Sequence, residues 1–291
     1  MSDLPAEEIE AIKELRTRLS AEANAALNAQ DCLRFLVARK QDVENTVSMI
    51  ENWYQWYTTP FGAEGTGLTP RNMLNLDNIE DPAMEVINEL VPHSFSGFCK
   101  NGCPIFWEKT GIIAGNIPKL KAKFTMDQMM EQHIRIQAIM GVRRDYISRK
   151  LNKPIEQVMI VCDYTDLSFS PDMFGIDYCK QLFTIDEKYY PERLYKTYLI
   201  NAPWYFTALY ALVSPWIDPK TATKIVVLGS DYLDTIREDI DDSEIPVELG
   251  GSKENFRWSW PFPKESGASP EQIREYLTRQ HDAEEKERLR N

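Results

Sequence analysis

The stretch YYPERLYKTYLINAPWYFTALYALVSPWIDPKTATKIVVLG, Tyr189 to Gly229, decides the fold. Leu194–Ile200 reads as a strand, Pro203–Val213 as a helix and Lys224–Leu228 as a second, buried strand. Two neighbouring strands joined through a helix run parallel, because the crossover returns the chain to the edge it left. Glu192 and Arg193 precede the first strand, and Thr221 and Lys224 precede the second. Parallel pairing therefore puts Glu192 and Lys224 at the same edge of a sheet. A lysine beside a glutamate, with a threonine hydroxyl one helical turn away, can hold a phosphate and a polyol. Spacing alone favours a plainer reading, a surface ion pair of ~0–1 kcal/mol.

The segment between the strands, WYFTALYALVSPWI, is apolar on nearly every face. A helix of that kind is buried, or it faces something apolar on its second side. Composition alone favours an ordinary core helix. The alternative is a lid over an apolar ligand whose outer face turns to a membrane, a place that suits Trp and Tyr rings.

Outward from this unit, QVMIVCD (Gln157–Asp163) is a nearly continuous apolar run, as expected of a buried parallel strand. Asp172–Lys188 and Thr125–Lys150 read as helices, the latter capped by its threonine. Asn101-Gly102 signals a hairpin turn ahead of the short strand PIFWEK. Near the N-terminus Ile9, Ile12, Leu15 and Leu19 recur at helical spacing, followed by the helical segments DCLRFLVARK and Val43–Tyr57. Residues 58–80 hold three glycines and two prolines. The expected organisation is a helical domain at 1–60, a linker at 61–80, a sheet domain at 81–251, and a C-terminal piece at 252–291. That last piece combines the aromatic arm FRWSWPFP with a charged helix over Ser269–Arg290.

Composition excludes several functions. With 45 acidic against 33 basic residues the chain carries a net charge of −12, the wrong sign for a nucleic-acid binder. No apolar run approaches the ~20 residues of a membrane span. MSDLPAEEIE is no signal peptide. A soluble, cytoplasmic protein whose membrane contacts are peripheral and transient is expected. The five cysteines form no CxxC pair and read as reduced thiols, with no metal site. GxSxG, P-loop, GxGxxG and HExxH motifs are absent, and His133, between Glu131 and Arg135, reads as a surface residue. The chain is not expected to be an enzyme.

The ordered elements YYPER, INAP, D-P-x-T-x-x-K-I, LGS and the closing GG closely resemble the CRAL-TRIO domain of Sec14-like phosphatidylinositol transfer proteins. DCLRFLVARKQDVENTVSMI resembles the helical domain that precedes it in that family. The resemblance spans roughly residues 5–57 and 84–251. It implies an α/β fold: an N-terminal helical bundle, then a mixed, mostly parallel sheet that floors an apolar lipid pocket closed by a gating helix. That gate corresponds to Pro203–Trp216 and contains Trp204, Tyr205, Phe206, Leu209, Leu212, Val213 and Trp216. The family's headgroup residues fall on Glu192, Thr221 and Lys224, with Arg39 and Lys40 from the helical domain and Arg193 adjoining. The implied ligand is phosphatidylinositol, exchanged with membranes or presented to lipid kinases by a monomer that needs no cofactor.

The departures bear on a second ligand. Members that bind phosphatidylcholine carry Ser and Thr where this chain has Val158 and Ile160, and a pocket Tyr where it has Phe95. A buried phosphocholine would lose its polar partners here, which is costly. A sterol or other hydrophobic second ligand is expected in its place. Nothing in the sequence singles out an axial ligand for the family's haem-binding variant. A lipid-regulated sensor or adaptor that does not transfer its ligand is the alternative function.

Overall fold

The computed structural model describes residues 4–61, 67–73, 86–87, 89–168, 172–254, 256 and 258. The expected terminal helix over Ser269–Arg290 and most of the 61–80 linker lie outside these residues. Of that linker, Leu68 and Met73 are buried against Ile134, so this part packs on the sheet domain.

Four helices open the chain: α1 (Ala6–Arg18), α2 (Ala21–Ala25), α3 (Ala29–Ala38) and α4 (Val43–Thr58). Each of the last three starts where a side chain can accept a free backbone N–H: Ser20, Asn28 and Asp42. Ile12, Leu15, Phe35, Leu36, Ile50 and Trp53 close their own apolar core. Helix α3 ends before Arg39, where Lys40 and Gln41 adopt positive φ of 53° and 65°.

The sheet has five strands in the order β1 (His93–Ser94), β2 (Ile105–Glu108), β3 (Val158–Asp163), β4 (Leu194–Ile200) and β5 (Ile225–Val227). β1 and β2 pair antiparallel, and β2 to β5 pair parallel. The crossovers are α5 (Thr110–Lys123) with α6 (Met126–Leu151), then α7 (Met173–Tyr189), then α8 (Phe206–Val213) with α9 (Pro219–Ala222). A short helix, α10 (Leu233–Ile236), follows the sheet. Thr125 caps α6 in a capping box with Gln128, and Asp172 caps α7.

Two helices differ from the sequence expectation. α5 was not foreseen, since Gly111, Gly115 and Pro118 all weaken a helical reading. Tertiary burial of Ile113, Ile117 and Leu120 at helical spacing supplies what propensity does not. The gating segment becomes helical only at Phe206, because the Phe206 N–H closes a turn on the Pro203 carbonyl at 2.8 Å.

Strand alternation divides the sheet into two unlike faces. Trp107, Met159, Val161, Tyr198 and Ile200 point to one face and are fully buried. They are covered by Ile147 and by the late residues Ile236, Ile240, Ile245 and Leu249. Phe256 stacks edge-on against Trp107 at 5.8 Å and Trp258 against Phe256 at 4.9 Å, so the start of the aromatic arm packs on this core. The other face carries Phe106, Glu108, Ile160, Cys162, Thr197 and Leu199, and it is not filled in the same way. Ile160, Cys162 and Glu108 stay half-buried.

Gly111 lets α5 approach the loop after β3, since a Cβ there would lie 1.9 Å from the Thr165 carbonyl oxygen. Gly111→Ala is expected to cost about 1–3 kcal/mol through this overlap, read as a lowered urea midpoint with an unchanged slope. An unchanged midpoint would mean that α5 is not held this closely.

Candidate functional site

The turn between α7 and β4 carries Glu192 in a left-handed conformation, φ 57°. Its carboxylate meets two lysines. Oε1 lies 2.5 Å from Lys220 Nζ, and Oε2 lies 3.5 Å from Lys224 Nζ. Lys224 also donates to the Leu194 carbonyl at 2.8 Å, which ties the start of β5 to the start of β4. Thr221 sits one turn before Lys224 in α9, where its N–H donates to Asp218 Oδ1 at 3.0 Å. The parallel register brings Glu192, Thr221 and Lys224 to one edge. Lys220 is a further residue of this edge. Its signal was its place four residues before Lys224 in DPKTATK.

The helical domain fixes this turn from both sides. Trp56 of α4 stacks on Tyr189 at 4.0 Å, and Arg34 of α3 donates to the Pro191 carbonyl at 3.1 Å. Asp31 Oδ1 accepts from Arg34 at 3.3 Å and from Arg193 at 2.9 Å. Arg193 also donates to the Glu156 carbonyl at 3.1 Å and pairs with the Glu156 carboxylate. The guanidinium of Arg193, assigned next to the headgroup residues by resemblance, is thus engaged on the Asp31 and Glu156 side. Burial pushes the Asp31 carboxyl up, yet Arg34 and Arg193 outweigh it and hold the group below its ordinary value.

Arg39 and Lys40 stand at the end of α3. Arg39 is half-buried, with Nη1 3.4 Å from the Ala38 carbonyl oxygen, and Lys40 is exposed. Among the described residues neither forms an ion pair. A cleft of about 350 Å³ runs along α3, walled by Leu33, Arg34 and Val37 on one side, by Asn101, Cys103 and Glu156 on the other, and by Glu192.

The residues expected to line the second-ligand region divide. Phe95 and Val158 are buried in an apolar cluster with Phe106 and with Ile136, Ile139, Met140 and Val142 of α6. The Phe95 and Phe106 rings meet at a tilt of 53°, with centroids 5.3 Å apart. These two are packed core rather than open wall, because α6 closes over them. Ile160 alone stays half-buried, at the cluster's rim.

Beyond Ile160 the same sheet face carries Cys162 and Glu108, which stay half-buried. Burial pushes up the thiols of Cys162 and Cys179, the latter to about 11, and the phenols of Tyr164 and Tyr178. All four side chains are enclosed by protein, yet each keeps accessible surface. The same enclosure raises the pKa of Glu108, whose Oε1 accepts from Thr110 Oγ1 at 2.8 Å. No residue of the 17-residue helix α7 is buried, although the helix contains Phe174, Ile176, Leu182, Phe183 and Ile185. His133 corrects the sequence reading. It is 7% exposed rather than on the surface, because α7 brings Asp186 Oδ1 to 2.7 Å from its Nε2.

The gating segment lies open. Trp204 is 92% exposed and Leu212 44% exposed, while Leu209, Val213 and Trp216 are half-buried. Within α8 only Phe206 is buried, against Tyr164 at 4.7 Å. Tyr205 Oη donates to the Leu167 carbonyl, and Lys180 Nζ lies 5.7 Å above the Trp216 ring. An apolar helix with one buried residue is not an ordinary core helix.

The fold is a mixed sheet with one face fully buried, a second face left half-buried at Ile160, Cys162 and Glu108, and an exposed apolar helix. The chain belongs to the CRAL/TRIO domain family, which matches residues 91–251. The SEC14 cytosolic factor of Candida glabrata is 30% identical over 246 residues, covering 84% of this chain and 78% of that protein. The Arabidopsis thaliana phosphatidylinositol/phosphatidylcholine transfer protein SFH12 is 29% identical over 252 residues, covering 85% of this chain and 44% of that protein. The crystal structure of Sfh5 superimposes with a TM-score of 0.67 over 96% of this chain and 99% of that one; at 17% identity it speaks for the fold.

The Asp31 clamp gives a pH-dependent prediction. Its pKa is depressed, so its stabilisation is present above the ordinary value of 3.8 and is lost as pH falls through the folded-state pKa. Asp31→Asn is expected to destabilise the protein by about 2–3 kcal/mol at neutral pH. Urea titrations should show the gap to the unsubstituted protein closing as pH drops below 3.8. A gap that is constant with pH would contradict the ion-pair account.

Proposed function

We propose that this protein binds phosphatidylinositol and exchanges it with membranes, or presents it to lipid kinases, from the cytoplasm. The observation that carries the reading is the Glu192 carboxylate held between two lysines at the edge of the sheet, next to α7, a helix with apolar residues of which none is buried. Lys224 supplies a cation for the phosphodiester, and Glu192 accepts from inositol hydroxyls. Thr221 adds a hydroxyl, and Arg39 and Lys40 approach from the end of α3. Lys220 opens from Glu192 when the headgroup arrives.

The acyl chains lie against Ile160, Leu199 and the inner side of α7. Each Å² of apolar surface they bury contributes ~25 cal/mol, so the chains supply affinity while the edge residues choose the headgroup. Helix α8, with Trp204 and Leu212, opens at a membrane surface and closes over the lipid. No bond is made or broken, so the protein acts as a carrier rather than an enzyme, and it works as a monomer. The helical bundle at 1–60 braces the headgroup edge of the domain at 81–251.

The second ligand is not a choline lipid. Phe95, Val158 and Ile160 offer a phosphocholine no hydroxyl, and α6 already fills the space beside the first two. Glu108, held toward its neutral acid by burial, offers one hydrogen bond to the lone hydroxyl of a hydrophobic molecule such as a sterol. The SFH12 relative is named for both phosphatidylinositol and phosphatidylcholine, so choline binding is the point at which this chain departs.

Lys224→Ala is expected to lower phosphatidylinositol transfer between vesicles by at least about tenfold, while stability falls only by the ~1 kcal/mol of its lost bond to the Leu194 carbonyl. Transfer at the unsubstituted rate would remove Lys224 from the headgroup site. Lipids extracted from the purified protein and identified by mass spectrometry should contain phosphatidylinositol and lack phosphatidylcholine. Abundant phosphatidylcholine would overturn the argument from Val158 and Ile160.

A further inference from the structure

The hairpin between β1 and β2 closes with the loop Lys100-Asn101-Gly102. The Gly102 N–H donates to the Cys99 carbonyl and the Cys99 N–H donates to the Cys103 carbonyl, both at 2.8 Å. Gly102 has φ 94°, which makes this a three-residue loop ending in a left-handed glycine. Phe98 and Pro104 form the bridge below it. Cys99 and Cys103 are therefore the cross-strand pair that closes the loop. Hydrogen-bonded antiparallel neighbours have Cα atoms about 5.5 Å apart, inside the ~4.4–6.8 Å range that a disulfide spans. Asn101 Oδ1 accepts from the Cys103 N–H at 3.0 Å and from Cys99 Sγ at 2.7 Å, which fixes both residues about one side chain.

The surroundings of this pair differ from those of the other thiols. The Cys103 S–H and the N–H groups of Asn101 and Cys103 face Cys99 Sγ and hold its pKa below the ordinary thiol value despite burial. The hydrogen bond to Cys99 and burial push Cys103 up. Burial also pushes up Cys32, Cys162 and Cys179, so Cys99 is the one cysteine of five held down. Both paired residues are 4% exposed, too little for a bulky oxidant. Cys103 and Asn101, however, line the cleft that Glu192 also borders, and Cys99 Sγ lies directly behind Asn101, 2.7 Å from its Oδ1, so a water-sized reagent in the cleft is one side chain from Cys99.

We propose that Cys99 and Cys103 are a redox-modification site, closed to a disulfide by a hydroperoxide and reopened by small thiols. The Cys99 thiolate attacks the O–O bond of hydrogen peroxide, giving a sulfenic acid and hydroxide. The Cys103 thiol then attacks Cys99 Sγ and expels the sulfenic oxygen as hydroxide. The protons of the two thiols turn both hydroxides into water. Two thiols lose two electrons, and one peroxide becomes two waters. The bond fixes the hairpin that walls the cleft beside Glu192.

The test treats the reduced full-length protein with a small molar excess of hydrogen peroxide, alkylates the remaining thiols and maps the digest by mass spectrometry. A peptide holding Cys99 and Cys103 should lose about 2 Da, regain it with dithiothreitol, and form at least about tenfold faster than any change at Cys32, Cys162 or Cys179. Cys99 and Cys103 both alkylated after the other thiols have reacted, or a Cys162–Cys179 bridge forming first, would overturn the proposal. In Cys103→Ser the Cys99 sulfenic acid has no partner and should be captured by dimedone. Capture at another cysteine with none at Cys99 would overturn the assignment of Cys99 as the attacking thiol.

Discussion

The half-buried carboxylate of Asp31 is the interaction on which the site depends. It lies in α3 and takes Arg34 from its own helix and Arg193 from the start of β4. Arg34 continues to the Pro191 carbonyl and Arg193 to Glu156, so one acid joins the helical bundle, the turn before β4 and the segment before β3. Two guanidiniums on a largely buried acid are costly to separate, because any one left alone is an uncompensated charge. Glu192 stands between Pro191 and Arg193, and its left-handed backbone is sustained by these flanking contacts together with the Trp56–Tyr189 stack. The helical domain thus holds in place the turn that carries Glu192.

A second constraint comes from the sheet. Its two faces have the same alternating apolar pattern but different fates. One is closed by the late residues around Ile236, Ile245 and Leu249. The other is covered by α6 at the Phe95 end and left half-buried at the Cys162 end. Leu182 and Phe183 of α7 and most of α8 stay half-buried or exposed, which leaves apolar surface outside the packed clusters. Burying that surface against hydrocarbon recovers the free energy that the fold alone does not.

Much of this was legible in the sequence. The strand–helix–strand reading of Leu194 to Leu228 follows from local pattern, and parallel pairing then obliges Glu192 to meet Lys224. Caps at Asp42, Thr125 and Asp172 are equally local. What was not legible depends on distant partners. Arg193 reads as a member of the headgroup edge until Asp31, 162 residues away, takes its guanidinium. His133 reads as a surface residue until α7 brings Asp186 to it. Phe95 and Val158 read as open wall, and only the course of α6 over the sheet shows them packed. In α5, three weak helix formers hid an element whose stability is tertiary. Whether the apolar α8 is core or lid rests on its exposure, which composition does not encode.

The central claim is that the open sheet face is completed by lipid. Native mass spectrometry of the purified full-length protein tests it most directly. The account predicts one phosphatidylinositol-sized or hydrophobic ligand per chain, and a lowered unfolding midpoint once that ligand is stripped. A chain that flies empty, and whose midpoint neither falls on delipidation nor rises on adding phosphatidylinositol vesicles, would contradict it.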